Sequence, residues 1–341
     1  MLPLTISAQD GLISQYDYFD KKIASINLTT YYILKNGEFA YNKSYSNGYP
    51  YGAIKRLDSF EEGALSSLYI CFCVSNIDSN YLCYYFDSNK WNYEVKIISG
   101  EGARNHGLLN LTPSDFFNIR IFKPHTLEEQ CKISNFLELI YAKEKIINRK
   151  INILKKYKEG IMIKCYELAK NQVISLSKLV KNNIILLGRG EIIPKQNGTF
   201  PVYSSSAANN GLFCFRNKYS FDEELITWSI DGGGKPFLRN KHKFSITNVC
   251  GYAKILDLNI FSYSWLYINF WNSWRKIKFD YTTKAHPSVI EKLYKIKSLD
   301  IESQMKIEKI LTYINNKIDY LIKELNDVTL TKESLLRSLF F

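Results

Sequence analysis

The chain has 341 residues, enough for two or three domains, and 46% of them are hydrophobic, enough for each domain to bury a core. The formal net charge is +12 and the pI about 9.1; such a surplus favours a polyanionic partner, nucleic acid being the commonest, although an AT-rich coding bias toward Lys, Asn, Ile and Tyr gives the same surplus. Seven cysteines at irregular spacing, with no C-x-x-C pair, exclude a disulfide framework and a zinc site and fit a reducing cytoplasm. No signal peptide and no apolar run of membrane-spanning length is visible, so a cytoplasmic protein without a membrane partner is expected.

In chain order, the first segment (1–126) is rich in aromatic and β-branched residues. Strands are predicted at 37–41, 68–74 and 95–98, and a helix at 79–86. The alternation Cys71-Phe72-Cys73 reads as strand core. A basic loop containing Arg104-Asn105-His106 follows. A long helix is predicted over 127–167. The segment 168–298 repeats the plan, with strands at 225–229, 244–247 and 252–256 and a helix at 262–272. Its basic loop contains Lys284-Ala285-His286. Trp228, Trp265, Trp271 and Trp274 fit the strand and helix patterns as core residues. A second long helix is predicted over 299–341.

The two helical segments align without a gap at an offset of 174 residues: Gln130 matches Gln304, Lys132 matches Lys306, Ile133 matches Ile307 and Leu137 matches Leu311. Both carry heptads. Ile133, Ile140, Ile147, Leu154 and Ile161 fall seven apart, as do Ile307, Ile314, Leu321, Val328 and Leu335. Leu137 and Ile151 interleave in the first, where Glu144 and Lys158 interrupt; Lys332 interrupts the second. A narrow stripe over five heptads predicts a coiled-coil seam, and two matching helices most simply bury their stripes on each other as an antiparallel pair. From Lys143 to Lys164 the first helix has eight Lys/Arg against two Glu, a solvated flank or a face toward an anionic partner.

Base reading needs paired donors and acceptors: Arg suits guanine, Asn or Gln suits adenine. In the first segment the candidates are Asn42, Lys43, Ser44, Arg104, Asn105 and His106. In the second they are Arg189, Lys195, Ser205, Asn209, Asn210, Lys235, Arg239, Lys284 and His286. For any single one a solvated role is commoner than a base contact, and phosphate contacts outnumber base contacts. Gly232-Gly233-Gly234-Lys235-Pro236 lacks P-loop spacing and reads as a strand-connecting turn, whose backbone N–H groups beside Lys235 and Arg239 could grip a phosphate. No catalytic centre, metal site or cofactor-binding motif is found. The four histidines show no metal-ligand spacing, and methyltransferase and P-loop motifs are absent.

The ordered motifs resemble those of type I restriction–modification specificity subunits. The helix opening Leu127-Glu128-Glu129-Gln130, with Lys132-Ile133, Phe136-Leu137 and Lys158-Glu159-Gly160, resembles the family's spacer helix, and Ile301-Glu302-Ser303-Gln304 repeats it. Tyr18-Phe19-Asp20-Lys21 and Gly37-Glu38-Phe39-Ala40-Tyr41-Asn42 resemble first-domain hallmarks; Gly188-Arg189-Gly190, Phe200-Pro201-Val202-Tyr203 and Asn209-Asn210-Gly211 resemble the start of a second domain. The first segment, at Met1, resembles a point already inside such a domain, which leaves two readings open: an N-terminally truncated unit or a variant gene start. The resemblance implies an α+β protein in which two α/β target-recognition domains alternate with two long helices. It implies a non-catalytic reader of a bipartite site in double-stranded DNA. It also implies partners: two modification subunits and a restriction subunit, with S-adenosylmethionine, ATP and magnesium belonging to them. Two other classes compete: a coiled-coil scaffold without DNA reading, and a stand-alone DNA-modifying enzyme.

Overall fold

The computed structural model describes all residues except 19–29, 100–106, 108, 170–171, 207, 281–282 and 341. The architecture is α+β. The chain forms two compact units: Met1–Asn148 with Lys323–Phe341 (unit 1), and Arg149–Ile322 (unit 2). The division falls inside both long helices.

Unit 1 contains β1 (Pro3–Ser7), β2 (Gly11–Ser14), α1 (Gln15–Tyr18), β3 (Tyr32–Lys35), β4 (Phe39–Asn42), β5 (Ala53–Arg56), β6 (Glu62–Leu65) and β7 (Ile70–Phe72). The helices α2 (Ser79–Asp87), α3 (Asn92–Ser99) and α4 (Pro113–Phe117) follow, then the first part of α5 (Leu127–Leu168). Two sheets form, ordered β2-β1-β6-β3 and β5-β4-β7. The core is aromatic: Tyr41 meets Trp91 edge-on and stacks on Phe116, and Phe39 stacks on Phe72. The strand predicted at 95–98 is instead part of the helix α3. Its β-branched composition suggested a strand, yet Trp91, Val95 and Ile98 fall at i, i+4 and i+7, and that face enters the core while Ile97 is exposed.

Unit 2 contains β8 (Val173–Ser175), α6 (Leu176–Lys181), β9 (Ile185–Arg189), β10 (Phe200–Tyr203), β11 (Leu212–Arg216), β12 (Phe221–Ser229), β13 (Pro236–Ile246) and β14 (Cys250–Ile255). Then come α7 (Tyr263–Lys276), α8 (Pro287–Leu293), β15 (Lys295–Lys297) and α9 (Ile301–Leu339), whose last part belongs to unit 1. A six-stranded sheet runs β11-β10-β13-β12-β14-β9, and β8 pairs with β15. Trp228, Trp265 and Trp271 are core residues, and Trp274 packs against that core.

The long helices run antiparallel within each unit. In unit 1, Leu137 joins Leu336 and Phe340 in the core, while seven residues further along α5 Glu144 meets Lys332 at 2.6 Å. In unit 2, Lys158 Nζ donates to Asn315 Oδ1 at 2.7 Å, and Met162 joins Leu311 in the core. Ile147, Ile314, Leu321 and Val328 are buried; Ile133, Ile140, Leu154, Ile161, Ile307 and Leu335 are half-buried. The polar residues that break the heptads are matched across the pair, so each interruption carries a partner with it. Half-buried ion pairs of this kind specify register more than they stabilise.

Candidate nucleic-acid interface

Each unit locks its α+β body onto a long helix with one buried glutamine. Gln130, 0% exposed, accepts from the Asp78 backbone N–H at 2.9 Å and donates to Pro124 O at 2.9 Å. Gln304, also 0% exposed, accepts from the Ser262 N–H at 2.7 Å and donates to Ile260 O and Leu299 O. Asp78 and Ser262 are the N-caps of α2 and α7, their side chains accepting from Tyr81 N and Trp265 N. The same amide therefore satisfies the same helix start in both units. The sequence repeat pairs these glutamines but does not tell what they bind.

The strand-end loops are also built alike. In unit 1 the chain leaving β4 pairs with the segment before α4: Leu109 N donates to Lys43 O at 3.1 Å and Tyr45 N to Gly107 O at 2.8 Å. Lys43 Nζ donates to Leu111 O, and Asn42 Oδ1 accepts from Ser44 N. Arg104, Asn105 and His106 lie outside the described residues. In unit 2 the chain leaving β12 pairs with the segment before α8: Ala285 N donates to Ile230 O at 3.1 Å. Trp228 Nε1 fixes the same segment through Ala285 O at 2.7 Å.

Around this pairing unit 2 gathers several candidates. Lys284 is exposed and meets Asp231 at 2.8 Å. His286 is exposed and caps α8, its Nδ1 facing the Ser288 N–H; in unit 1 the corresponding short helix α4 is capped by Thr112. The glycine turn is shaped by close approach: a Cβ at Gly232 would stand 2.4 Å from Ser205 O, and one at Gly234 would strike Phe279 at 2.6 Å. Trp274 Nε1 donates to Gly233 O at 2.7 Å. Ser205, Lys235, Lys284 and His286 thus belong to loops that touch. Arg189 ends β9 opposite Gly251 on β14, and its Nε donates to Asn248 O. Lys195 is exposed and makes no hydrogen bond or ion pair among the described residues.

Asn209 and Asn210 are exposed in the Ala208–Gly211 turn, both at positive φ. Arg239 is different: it is 3% exposed, with its guanidinium carbon 3.7 Å from the Tyr203 ring centre and 4.8 Å from that of Phe237. Burial lowers its pKa to about 10. Exposed cations that sequence reading passed over are Arg275, lying over the Trp271 ring, and Lys276, in the last turn of α7 beside the Trp274 that holds Gly233. A basic last helical turn was their only sequence signal. Among the described residues no group of three His, Cys, Asp or Glu could hold a metal ion, and no helix is long and apolar enough to cross a membrane.

The fold and its loops define a class: a duplicated α+β unit, each copy locked by a glutamine to an antiparallel helical pair and fixing the loop after a strand by a main-chain pairing. Comparison with known proteins places that class. No protein-family model matches the chain. Three Mycoplasma pneumoniae proteins named as type I specificity subunits match parts of it, at 34% identity over 145 residues, 42% over 71 and 39% over 80. These matches span 40%, 20% and 21% of this chain and 39%, 23% and 42% of those proteins, less than half of each. The crystal structure of a type I restriction–modification S subunit from M. genitalium shares the fold over 90% of this chain and 84% of its own, with a TM-score of 0.58 at 16% identity. A structure from work on assembly and conformational transition of the type I system covers 90% of this chain and 83% of its own, at TM-score 0.53 and 13% identity. The chain is similar to type I specificity subunits in sequence and in fold, and the resemblance first carried by its motifs is borne out.

Proposed function

We propose that this chain is the DNA-reading specificity subunit of a type I restriction–modification complex and carries no catalytic centre. The observation that supports this best is the duplicated frame: in both units a buried glutamine fixes a helix start and a main-chain pairing fixes the loop after a strand. Two readers on one antiparallel pair suit a bipartite target, one half-site per unit. The long helices act as the spacer. Adding one heptad to each would keep the seam and lengthen each helix by roughly 10 Å. At about 3.4 Å per base pair the half-sites would move about three base pairs apart.

The helices also offer a surface for partners. Leu139, Ile146 and Ile153 form a second heptad-spaced stripe on α5, flanked by Phe136 and Tyr157, and all five are exposed. Apolar stripes of this kind bury themselves against another helix. Modification subunits are the partners in this reading. They supply S-adenosylmethionine and the methylating site, and a restriction subunit supplies ATP-driven, magnesium-dependent cleavage. The complex then works in the cytoplasm, where its DNA is.

The test is methylome sequencing of a host expressing this chain with its modification subunit. The expected result is one bipartite motif, absent without the chain. A motif unchanged by deleting the chain, or label transfer from S-adenosylmethionine to DNA by the chain alone, would refute the reading.

A further inference from the structure

Arg239 on β13 is a charge without a counter-ion. Among the described residues it makes one hydrogen bond, from Nε to Thr227 Oγ1 at 3.0 Å, and its buried Nη1 has no partner. No carboxylate pairs with it among the described residues. The ionisable groups around it are Tyr203, Cys250 and Tyr267, and burial raises the pKa of each, so all three stay neutral near pH 7. Two rings enclose the guanidinium, and an apolar side chain of similar size would fill that space without the penalty of a buried charge. The rings and Thr227 hold the cation but leave Nη1 unpaired, a free donor that suits an anion from outside.

The Ala208–Gly211 turn marks where it arrives. A Cβ at Gly211 would stand 3.1 Å from Arg239 Nη2, a tight approach, and the φ of 81° favours glycine at this point of the turn. Ser204 N donates to Gly211 O at 2.8 Å and closes the loop. The two residues before Gly211 are Asn209 and Asn210, exposed, with φ of 47° and 54°. Their amide side chains can donate to an anion, and the buried cation beside Gly211 is screened far less than a surface one.

We propose that the Ala208–Gly211 turn of unit 2 is a phosphate-binding site, with the buried Arg239 guanidinium as its cation and the Asn209 and Asn210 amides as its donors. It rests on the DNA reading only for the source of the phosphate, a backbone phosphodiester; free phosphate shares the chemistry. The turn then positions unit 2 on the duplex and does not read a base.

The experiment uses the full chain in two arms. In the first, thermal unfolding is followed in inorganic phosphate and in chloride at equal ionic strength. The wild type should melt higher in phosphate and Arg239→Met should not respond; Arg239→Lys, which keeps the charge, should respond in part. In the second, with modification subunits added, duplex binding is measured against salt. Arg239→Met should lower the slope of log K against log salt by about one, equally for all duplex sequences. Should Arg239→Met fail to fold, Asn210→Asp supplies an internal carboxylate at an exposed position and should abolish both responses. A phosphate response that depends on Arg239, without duplex binding by any variant, keeps the site and assigns it to free phosphate, refuting the DNA source. Sequence-specific binding with both responses unchanged in Arg239→Met overturns the site and leaves the DNA reading standing. A loss confined to one base position would also overturn it.

Discussion

The two units use the same frame to hold different bodies. In unit 1 the strands split into two small sheets around stacked aromatics, with Tyr41 against Trp91 and Phe116. In unit 2 one six-stranded sheet packs on the tryptophan-rich helix α7. What they share lies where body meets helix. A buried glutamine ties down an N-cap, and a main-chain pairing fixes the loop after a strand, Lys43 with Leu109 and Ile230 with Ala285. Cores tolerate many apolar solutions of equal volume, whereas a buried amide with two or three fixed partners tolerates few. The repeat therefore shows most clearly in polar contacts and least in the cores.

The shared helical seam should be the most sensitive element. Ile147 is buried and Leu154 half-buried. Replacing both with Asp places unpaired charges in the seam, each costing several kcal/mol, roughly 3–5 kcal/mol where burial is complete. Unfolding by urea should show both units destabilised, and complexes with modification subunits should be lost on size exclusion. A double variant that melts and assembles like the wild type would remove the seam from the frame.

The glutamine locks should differ in strength. Gln304 makes three hydrogen bonds and Gln130 two. Leucine at either position strands an N-cap N–H and one or two carbonyls, at about 1–3 kcal/mol for each buried group left without a partner. Gln304→Leu should therefore cost more than Gln130→Leu. Each loss should appear as faster hydrogen exchange at its own N-cap, Ser262 or Asp78. Exchange that rises equally at both sites in each variant would mean the locks are not local.

The smallest effect separates the units by pH. On β12 of unit 2, burial, with repulsion from Glu308, raises the Glu224 carboxyl to about 7. Its unfolded value is near 4.5. Between these values the folded chain holds a proton that the unfolded chain releases, so stability falls as pH rises through that window. Glu224→Gln should flatten the thermal midpoint between pH 5 and 8 by roughly the wild-type change, which partial exposure keeps modest. A wild-type midpoint that rises across this window would contradict the assignment.

Much of the frame was legible in the sequence because its signal is periodic. Seven-residue spacing survives any change of neighbour, so both long helices follow from counting. The strands at β4, β12 and β14 and the helices α2 and α7 were legible for the same local reason. The helix α3 was not: Val and Ile near its end outweighed the i, i+4, i+7 face that only the aromatic core of unit 1 makes decisive. The candidate loops were legible as composition, since glycine, asparagine and basic residues cluster in turns.

How the loops are held was decided by tertiary contact. Sequence placed Arg239 among exposed readers beside Lys235, while the fold turns it inward between Tyr203 and Phe237, under a turn 28 residues earlier in the chain. It matched Gln130 with Gln304 without showing that either is buried. The partners of these groups are backbone atoms tens of residues away, and no local pattern encodes them. Heptads and turns are properties of neighbours in sequence. Burial of a charge or an amide is a property of neighbours in space, and only the packed sheet and helices bring those together.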